Sequence, residues 1–294
     1  MSTTGYHDLP LLKKPVWTWE IPAYFFVGGA AGAAAVIAEA SRLGENGHAL
    51  RRDARWIAGA GAVISAPLLI ADLGRPERFV NMLRVFKPQS PMSVGAWILL
   101  AFSNAAAAAL AAEEIGRRLP GHFAIRLVQN TAGPAAAACG LGMATYTGVL
   151  LGVTAIPVWS EHARSLPFHF AFSGLGTAAA ILQLRGHRHP ALNGVGIAAA
   201  AAETLFGARI EAASGRSAEP AKHGTSGTLM RTAGVLSGPV PLLLRAVGRR
   251  SARAQRAAAI ATIAGSLMTR YAWVAAGRSS AADPRDPLQL PDPA

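Results

Sequence analysis

The chain has 294 residues, of which 51% are hydrophobic and only 15% are charged, and its mean hydropathy is +0.29. Soluble domains carry about 25% charged residues, so the composition excludes an ordinary soluble protein and indicates a membrane protein. The net charge of +12 comes from 28 Lys and Arg that lie mostly between apolar runs. This placement indicates membrane topology and predicts no nucleic-acid partner. Because Cys139 is the single cysteine, we expect no disulfide framework, multi-cysteine zinc site or intrinsic iron–sulfur cluster.

Apolar runs long enough to cross a hydrocarbon core of ~30 Å recur along the chain. They predict eight transmembrane helices, at about residues 21–40, 55–73, 94–115, 129–153, 166–184, 191–210, 226–247 and 257–277. Arg231 and Arg270 lie inside the last two, and Gly238, Pro239 and Pro241 should break or kink the seventh. A count of six helices is the alternative. The predicted fold class is an all-α integral membrane protein.

The orientation in the membrane follows from the distribution of basic residues between the loops. The loops after the first, third, fifth and seventh spans carry fourteen arginines, against twelve Lys and Arg on the opposite side. Both termini, and the long loop from Asp72 to Pro91, are therefore predicted to lie outside the cytoplasm. A partner bound on the cytoplasmic side would invert this topology.

The loop after the second span carries an acid followed three residues later by a base. Asp72 and Arg75 could form a charge pair at the membrane surface, with Gly74 and Pro76 favouring the turn. The alternative is a purely structural end to the helix. Residues 90–93 predict a cap for the third span, with a proline in its first turn.

Two further polar positions should lie near this loop. Tyr146, close to the end of the fourth span, and Glu20, at the start of the first, are expected on the same membrane face as Asp72. Hydrogen-bond partners and a proton acceptor in an apolar cleft are what a quinone site requires. The alternative for Tyr146 is an interfacial aromatic anchor.

Deep ionisable residues are costly in a membrane unless they are paired or hydrated. Glu203 in the sixth span is the clearest, with Arg270 and Arg231 as possible partners. They predict either a proton or ion path or a paired carboxylate that locks the bundle. His169 is the only histidine inside a span, so a haem held by two facing histidines is not expected, and His169 is interpreted as a packing residue or a minor pocket contact.

The chain resembles the NrfD/polysulfide-reductase family of integral membrane subunits over nearly its whole length. The matching motifs are Trp17–Glu20, Tyr24–Gly32, Asp72–Pro76 with Arg78 and Phe79, Ser90–Ser93, Tyr146–Leu151, Ile156–Trp159, Leu166 with Pro167, Phe172–Gly174, Arg270, and Ala276 with Gly277. Together these motifs are specific, although each alone is weak.

The resemblance implies eight helices arranged as two four-helix bundles, with no redox centre in the chain itself. The expected division is an N-terminal segment (1–19), a first bundle with the quinone site (20–153), a second bundle (154–278) and a polar tail (279–294). The implied ligand is menaquinone or ubiquinone as a bound substrate, without intrinsic haem. The implied partners are a ferredoxin-like iron–sulfur subunit, a molybdopterin catalytic subunit beyond it, and membrane lipid.

These expectations define candidate sites. Quinone-binding residues would be Tyr146, Glu20, Asp72 and Arg75, with Glu20 as the substitute for histidine or asparagine contacts of some members that have no counterpart here. A proton path would use Glu203 and Arg270. Docking of the partner would use the bases Arg78, Arg84 and Lys87.

The predicted function is electron exchange between the quinone pool and an iron–sulfur partner, in the bacterial inner membrane. Whether the chain itself should be called an enzyme stays open. The rival hypotheses are a small secondary transporter or ion-conducting subunit, which Glu203 and the break in the seventh span favour, and a membrane anchor that binds no quinone.

Overall fold

The computed structural model describes residues 12–44, 47–213, 218–248 and 251–282, and every regular element in these ranges is a helix. In chain order they are α1 (Glu20–Ala40), a 3₁₀ turn (Ser41–Leu43), α2 (His48–Asp72), α3 (Arg78–Met82), α4 (Pro91–Arg118), α5 (Phe123–Gly152), α6 (Pro157–Glu161), α7 (Leu166–Leu184), α8 (Pro190–Ala212), α9 (Glu219–Lys222), α10 (Gly224–Ser237), α11 (Pro239–Val247) and α12 (Ala252–Ala282). The predicted all-α fold class is confirmed.

Five segments of the described chain are long and apolar enough to cross a membrane: α1 with its 3₁₀ turn, α2, α4, α5 and α8. The chain is therefore a multi-pass membrane protein. The remaining predicted spans correspond to α7, to α10 with α11, and to α12. The total of eight crossings stays a prediction, as do the domain boundaries. The polar tail falls largely outside the described residues, as does most of the N-terminal segment.

The long helices pack in two groups. In the first, α1 lies against α2 and α5, and α4 packs on both α2 and α5. In the second, α12 lies against α7, α10 and α11, while α8 packs on α7, α10 and α11. Helix α1 also contacts α7 and α12, and α5 contacts α7, so the two groups share a continuous packed interface.

Two helix boundaries follow directly from local sequence. The Ser90 side chain accepts a hydrogen bond from the Ser93 amide, 3.4 Å away, and Pro91 occupies the first turn of α4, as predicted. The seventh predicted span is divided at Gly238, where α10 ends and α11 begins with Pro239. A proline has no backbone N–H to donate to the carbonyl one turn earlier in a continuous helix. The break between α10 and α11 therefore follows from the proline itself.

Successive passages run in opposite directions, which gives the molecule two ends. The Asp72 end carries the start of α1, the end of α2, the start of α4 and the end of α5. The Arg256 end carries the α7–α8 loop and the start of α12, together with the α4–α5 loop. The predicted quinone residues and docking bases all belong to the Asp72 end.

Candidate functional site

The structure brings Asp72 and Glu20 together through the N-terminal segment. The Thr18 amide donates to Asp72 Oδ1 at 3.3 Å, and the Thr18 hydroxyl donates to Glu20 Oε2. Asp72 also interacts electrostatically with Glu20 and with Arg278 of α12. Thr18 therefore links two carboxylates from different helices at one membrane surface.

The charge pair predicted between Asp72 and Arg75 does not form. Within the described chain, Asp72 takes its hydrogen bond from Thr18, and Arg75 has no ion-pair partner. The turn that separates the two residues contains Gly74 at φ +64°, a left-handed conformation that glycine adopts without strain. The turn is as predicted, but Arg75 is exposed and remains free to meet another group.

The predicted docking bases follow the same turn. Arg78 begins α3, and Arg84 and Lys87 lie on the exposed stretch between α3 and α4. Neither Arg84 nor Lys87 forms an ion pair within the part of the chain that the structure describes. The Lys87 amide donates to the Ser93 hydroxyl at 3.0 Å, which ties this stretch to the first turn of α4.

Tyr146 lies inside the first helix group rather than at its surface. Its side chain is 6% exposed, its hydroxyl donates to the Pro91 carbonyl, and its ring packs against Gly95, where a larger residue would collide with it. It also lies near Tyr24, whose hydroxyl is 3.9 Å from Met143 Sδ. The phenol is therefore positioned by α4 and already engaged in a neutral hydrogen bond.

A buried hydroxyl lies in the same region. Ser65 of α2 is fully buried and its Oγ has no hydrogen-bond partner. Ser65 Oγ lies 3.5 Å from the position that a Cβ atom on Gly28 would occupy. Unpaired buried hydroxyls are uncommon because burial without a partner is costly, so Ser65 offers a further polar contact to a ligand in this group.

The second helix group contains a cavity of about 460 Å³ between α8 and α10, with contributions from α7, α11 and α12. Its walls are mostly apolar, including Ile210, Met230 and Val235. Arg231 and Glu211 also line it, and they form a bidentate ion pair at 2.6 and 3.2 Å. Arg231 therefore pairs with Glu211 instead of the partner considered from the sequence, Glu203.

Glu203 lies in the wall of this cavity with a buried hydrogen-bond network. One oxygen, Oε2, accepts from His169 Nε2 at 3.1 Å and from the Ser237 hydroxyl at 2.9 Å. The other oxygen, Oε1, has no partner, although the residue is only 3% exposed. Only one of the two carboxylate oxygens is hydrogen-bonded, so the other is available to accept a hydrogen bond from a water or a ligand.

Arg270 lies between the two helix groups, near Glu203 but not bonded to it. Its Nη2 donates to the Phe170 carbonyl at 2.9 Å, and its guanidinium stacks on the Phe170 ring at 3.8 Å. Two of its nitrogens, Nε and Nη1, have no partner, and the side chain is fully buried. It interacts with Glu203 through space, without a direct ion pair among the described residues.

Sequence reasoning missed Thr18, Ser237 and the full role of His169. His169 was singled out as the one histidine inside a predicted span, which was the available signal, but its partner Glu203 is 34 residues away. Thr18 lies in the Trp17–Glu20 motif but no role was expected for it, and Ser237 gave no signal, because hydroxyls in helices and loops most often bond to nearby backbone.

A family model described as NrfD_2, polysulfide reductase, matches residues 3–282. The match covers nearly the whole chain and confirms the resemblance noted from the motifs. None of the curated proteins matches the chain.

Proposed function

From the premise that the chain belongs to the NrfD-type polysulfide reductase family, and is thus a membrane subunit of a redox complex, we propose that it exchanges electrons between membrane quinone and an iron–sulfur partner subunit. The partner would be ferredoxin-like, with a molybdopterin subunit beyond it. Among the described residues, no group of cysteines, histidines and carboxylates is placed to hold a metal.

The observation that carries the proposal is the link between Asp72 and Glu20 through Thr18, at the end of the first group where Tyr146 lies. Oxidation of a quinol releases two electrons and two protons. The site therefore needs hydrogen-bond donors for the ring oxygens and carboxylates that can accept protons. Tyr146 and Ser65 supply hydroxyls, and Glu20 and Asp72 supply carboxylates close to the surface.

Each residue has a separate role in this proposal. Tyr146 transfers its hydrogen bond from the Pro91 carbonyl to a quinone oxygen, which exchanges one neutral bond for another. Asp72 and Glu20 accept protons and pass them to water at the surface. Arg75, which is exposed and unpaired in the described chain, orients the acids or the ring when the site is filled.

The partner would dock on the stretch after Asp72. Arg84 and Lys87 are exposed and free of ion pairs among the described residues, so they can meet an acidic surface without first breaking an internal pair. With Arg78 they would set the approach of the cluster-bearing subunit. The protein would lie in a bacterial inner membrane with both termini, and this partner, outside the cytoplasm.

The test is purification of the chain from its native membrane in mild detergent, with mass spectrometry of the subunits that accompany it. We expect a stoichiometric iron–sulfur subunit, whose clusters give an electron paramagnetic resonance signal that added quinol reduces. If the complex forms but added quinol does not reduce its clusters, the chain would be only a membrane anchor.

A second function is favoured by one specific observation, the unpartnered Glu203 Oε1 in the wall of the 460 Å³ cavity. With Arg270 nearby, it could belong to a proton or ion path, either within the redox complex or in a small transporter. The transporter would be supported if the chain purifies alone, without clusters or quinone. It should then move ions in liposomes, and the Glu203→Gln variant should not.

A further inference from the structure

A second cavity, of about 340 Å³, lies at the Arg256 end between α7, α8 and α12. Its polar lining includes Arg188, His189, Asn193, Gln255 and Arg256. No Asp or Glu is among the described residues that line it. Arg188 and Arg256 are exposed and have no ion-pair partner in the described chain, so both guanidinium groups are available to a ligand.

The loop that carries Arg188 is held in place by α2. Asp53 accepts hydrogen bonds from Arg185 Nε at 2.8 Å and from His187 Nε2 at 2.9 Å. Gly186 turns the chain at φ +102°, and its amide bonds to the Gln183 carbonyl, as at the C-terminus of many helices. The cavity wall is thus formed before any ligand arrives.

A buried cation lies directly behind this wall. Arg245 of α11 is fully buried, and its Nε and Nη2 have no hydrogen-bond partner. Its Nη1 donates to Gln183 Oε1 at 2.8 Å, and Gln183 lines the cavity. Since its oxygen is engaged by Arg245, Gln183 is left with its amide hydrogens as donors.

A buried guanidinium without a carboxylate is costly, and an anion close by would offset the cost. The adjoining cavity presents donors and positive charge. His189 contributes as well, because its Nδ1 accepts from the Ala191 amide and the proton of the neutral ring then resides on Nε2. The first turns of α8 and α12 also border the cavity and favour an anion there.

We propose that this cavity binds a phosphate group, held by Arg188 and Arg256, with Gln183 and His189 as additional donors. Arginine suits a phosphate because its planar fork can donate two parallel hydrogen bonds. The group could come from an anionic phospholipid headgroup or from a soluble phosphate. The site is at the opposite end from the proposed quinone site and does not depend on that function.

The test compares the wild-type chain, in the complex in which it purifies, with Arg188→Gln/Arg256→Gln. The control is Arg118→Gln/Arg126→Gln, which removes the same charge from two exposed arginines at the same end that are unpaired among the described residues. Each protein is washed free of lipid in detergent and titrated with phosphatidylglycerol, and bound lipid is counted by native mass spectrometry. Inorganic phosphate is added in a second series.

We expect one tightly bound lipid in the wild type and the control, with at least tenfold weaker binding in the cavity variant. Displacement of that lipid by millimolar phosphate, or saturable phosphate binding without lipid, would assign the site to a soluble phosphate. Equal lipid and phosphate binding by the cavity variant and the control would overturn the proposal. Circular dichroism of all three proteins excludes misfolding as the cause of a loss.

Discussion

Two tyrosines at the Asp72 end donate to backbone carbonyls, but in different surroundings. Tyr146 donates to Pro91 within the first helix group, whereas Tyr271 of α12 donates to Trp19 at 3.2 Å and is only half-buried. The first phenol lies near Tyr24, and the second packs on the N-terminal segment. The same type of hydrogen bond is therefore proposed to serve quinone binding in Tyr146 and to anchor the N-terminal segment in Tyr271.

This difference makes a matched experiment possible at the scale of single residues. Tyr146→Phe should lower quinone-linked turnover at least tenfold, which corresponds to about 1.4 kcal/mol of transition-state stabilisation, because the ring oxygen loses a donor. Subunit composition should not change. Turnover is measured as quinol-dependent reduction of the partner's clusters. Tyr271→Phe, which loses a comparable bond, should retain turnover; equal rates for Tyr146→Phe and wild type would remove Tyr146 from the site.

Helix α1 is the central element of the packing, with contacts to α2, α5, α7 and α12. Close approach depends on its glycines. Gly32 of α1 faces the Gly140 backbone of α5, and Gly174 of α7 faces the Gly29 backbone of α1, where a Cβ on Gly174 would lie 2.7 Å from the Gly29 carbonyl oxygen. Small residues allow helix backbones to meet in a membrane, where packing rather than the hydrophobic effect drives association.

Packing of α1 against α5 should therefore be sensitive to one methyl group. A Cβ at position 32 would collide with the Gly140 carbonyl oxygen, and the backbone cannot move aside as a flexible side chain could. Gly32→Ala should destabilise the protein by about 1–3 kcal/mol, the usual cost of overpacking. The measurement is the apparent thermal midpoint in detergent.

The matched control lies in α8, where nothing stands within 4 Å of a Cβ at Gly194. Gly194→Ala should leave the midpoint unchanged or raise it, since alanine is favoured over glycine inside a helix by roughly 0.5–1 kcal/mol. If Gly32→Ala were as stable as Gly194→Ala, the close contact between α1 and α5 would be refuted.

How far the sequence predicted the elements depends on the element. The Ser90 cap and the break at Gly238 were predictable because serine capping and the missing proline amide act within a few residues. The partner of Gly32 was not predictable, because a pattern of small residues marks a contact face without identifying the helix that meets it. The same limit applied to Glu203, which pairs with His169 instead of an arginine.

The two ends of the molecule carry different polar surfaces. The Asp72 end holds the linked carboxylates and the unpaired bases Arg84 and Lys87. The Arg256 end holds most of the arginines, some in internal pairs such as Arg55 with Glu113 at 2.5 Å, which joins α2 to α4. Positive residues are retained on the cytoplasmic side of a membrane, so the Arg256 end is predicted to face the cytoplasm.

Orientation can be measured with single cysteines in a Cys139→Ser background. Arg164→Cys, which lies at the Asp72 end outside the proposed docking stretch, should react with a membrane-impermeant maleimide in intact spheroplasts, and Arg118→Cys should react only after permeabilisation, because the two residues lie at opposite ends. Both positions are exposed, so burial does not distinguish them. The reverse labelling pattern would place the docking bases, and the partner with them, in the cytoplasm.

The sequence by itself determined the membrane class, the helical fold, the family and the places where helices begin or break. These depend on hydropathy, local capping chemistry and covalent geometry, which act over short stretches of chain. Only the tertiary structure decided which polar groups meet: Thr18 with Asp72 and Glu20, His169 with Glu203, and Arg245 with Gln183. Such pairs join residues from different helices, and their geometry follows from how the helices pack.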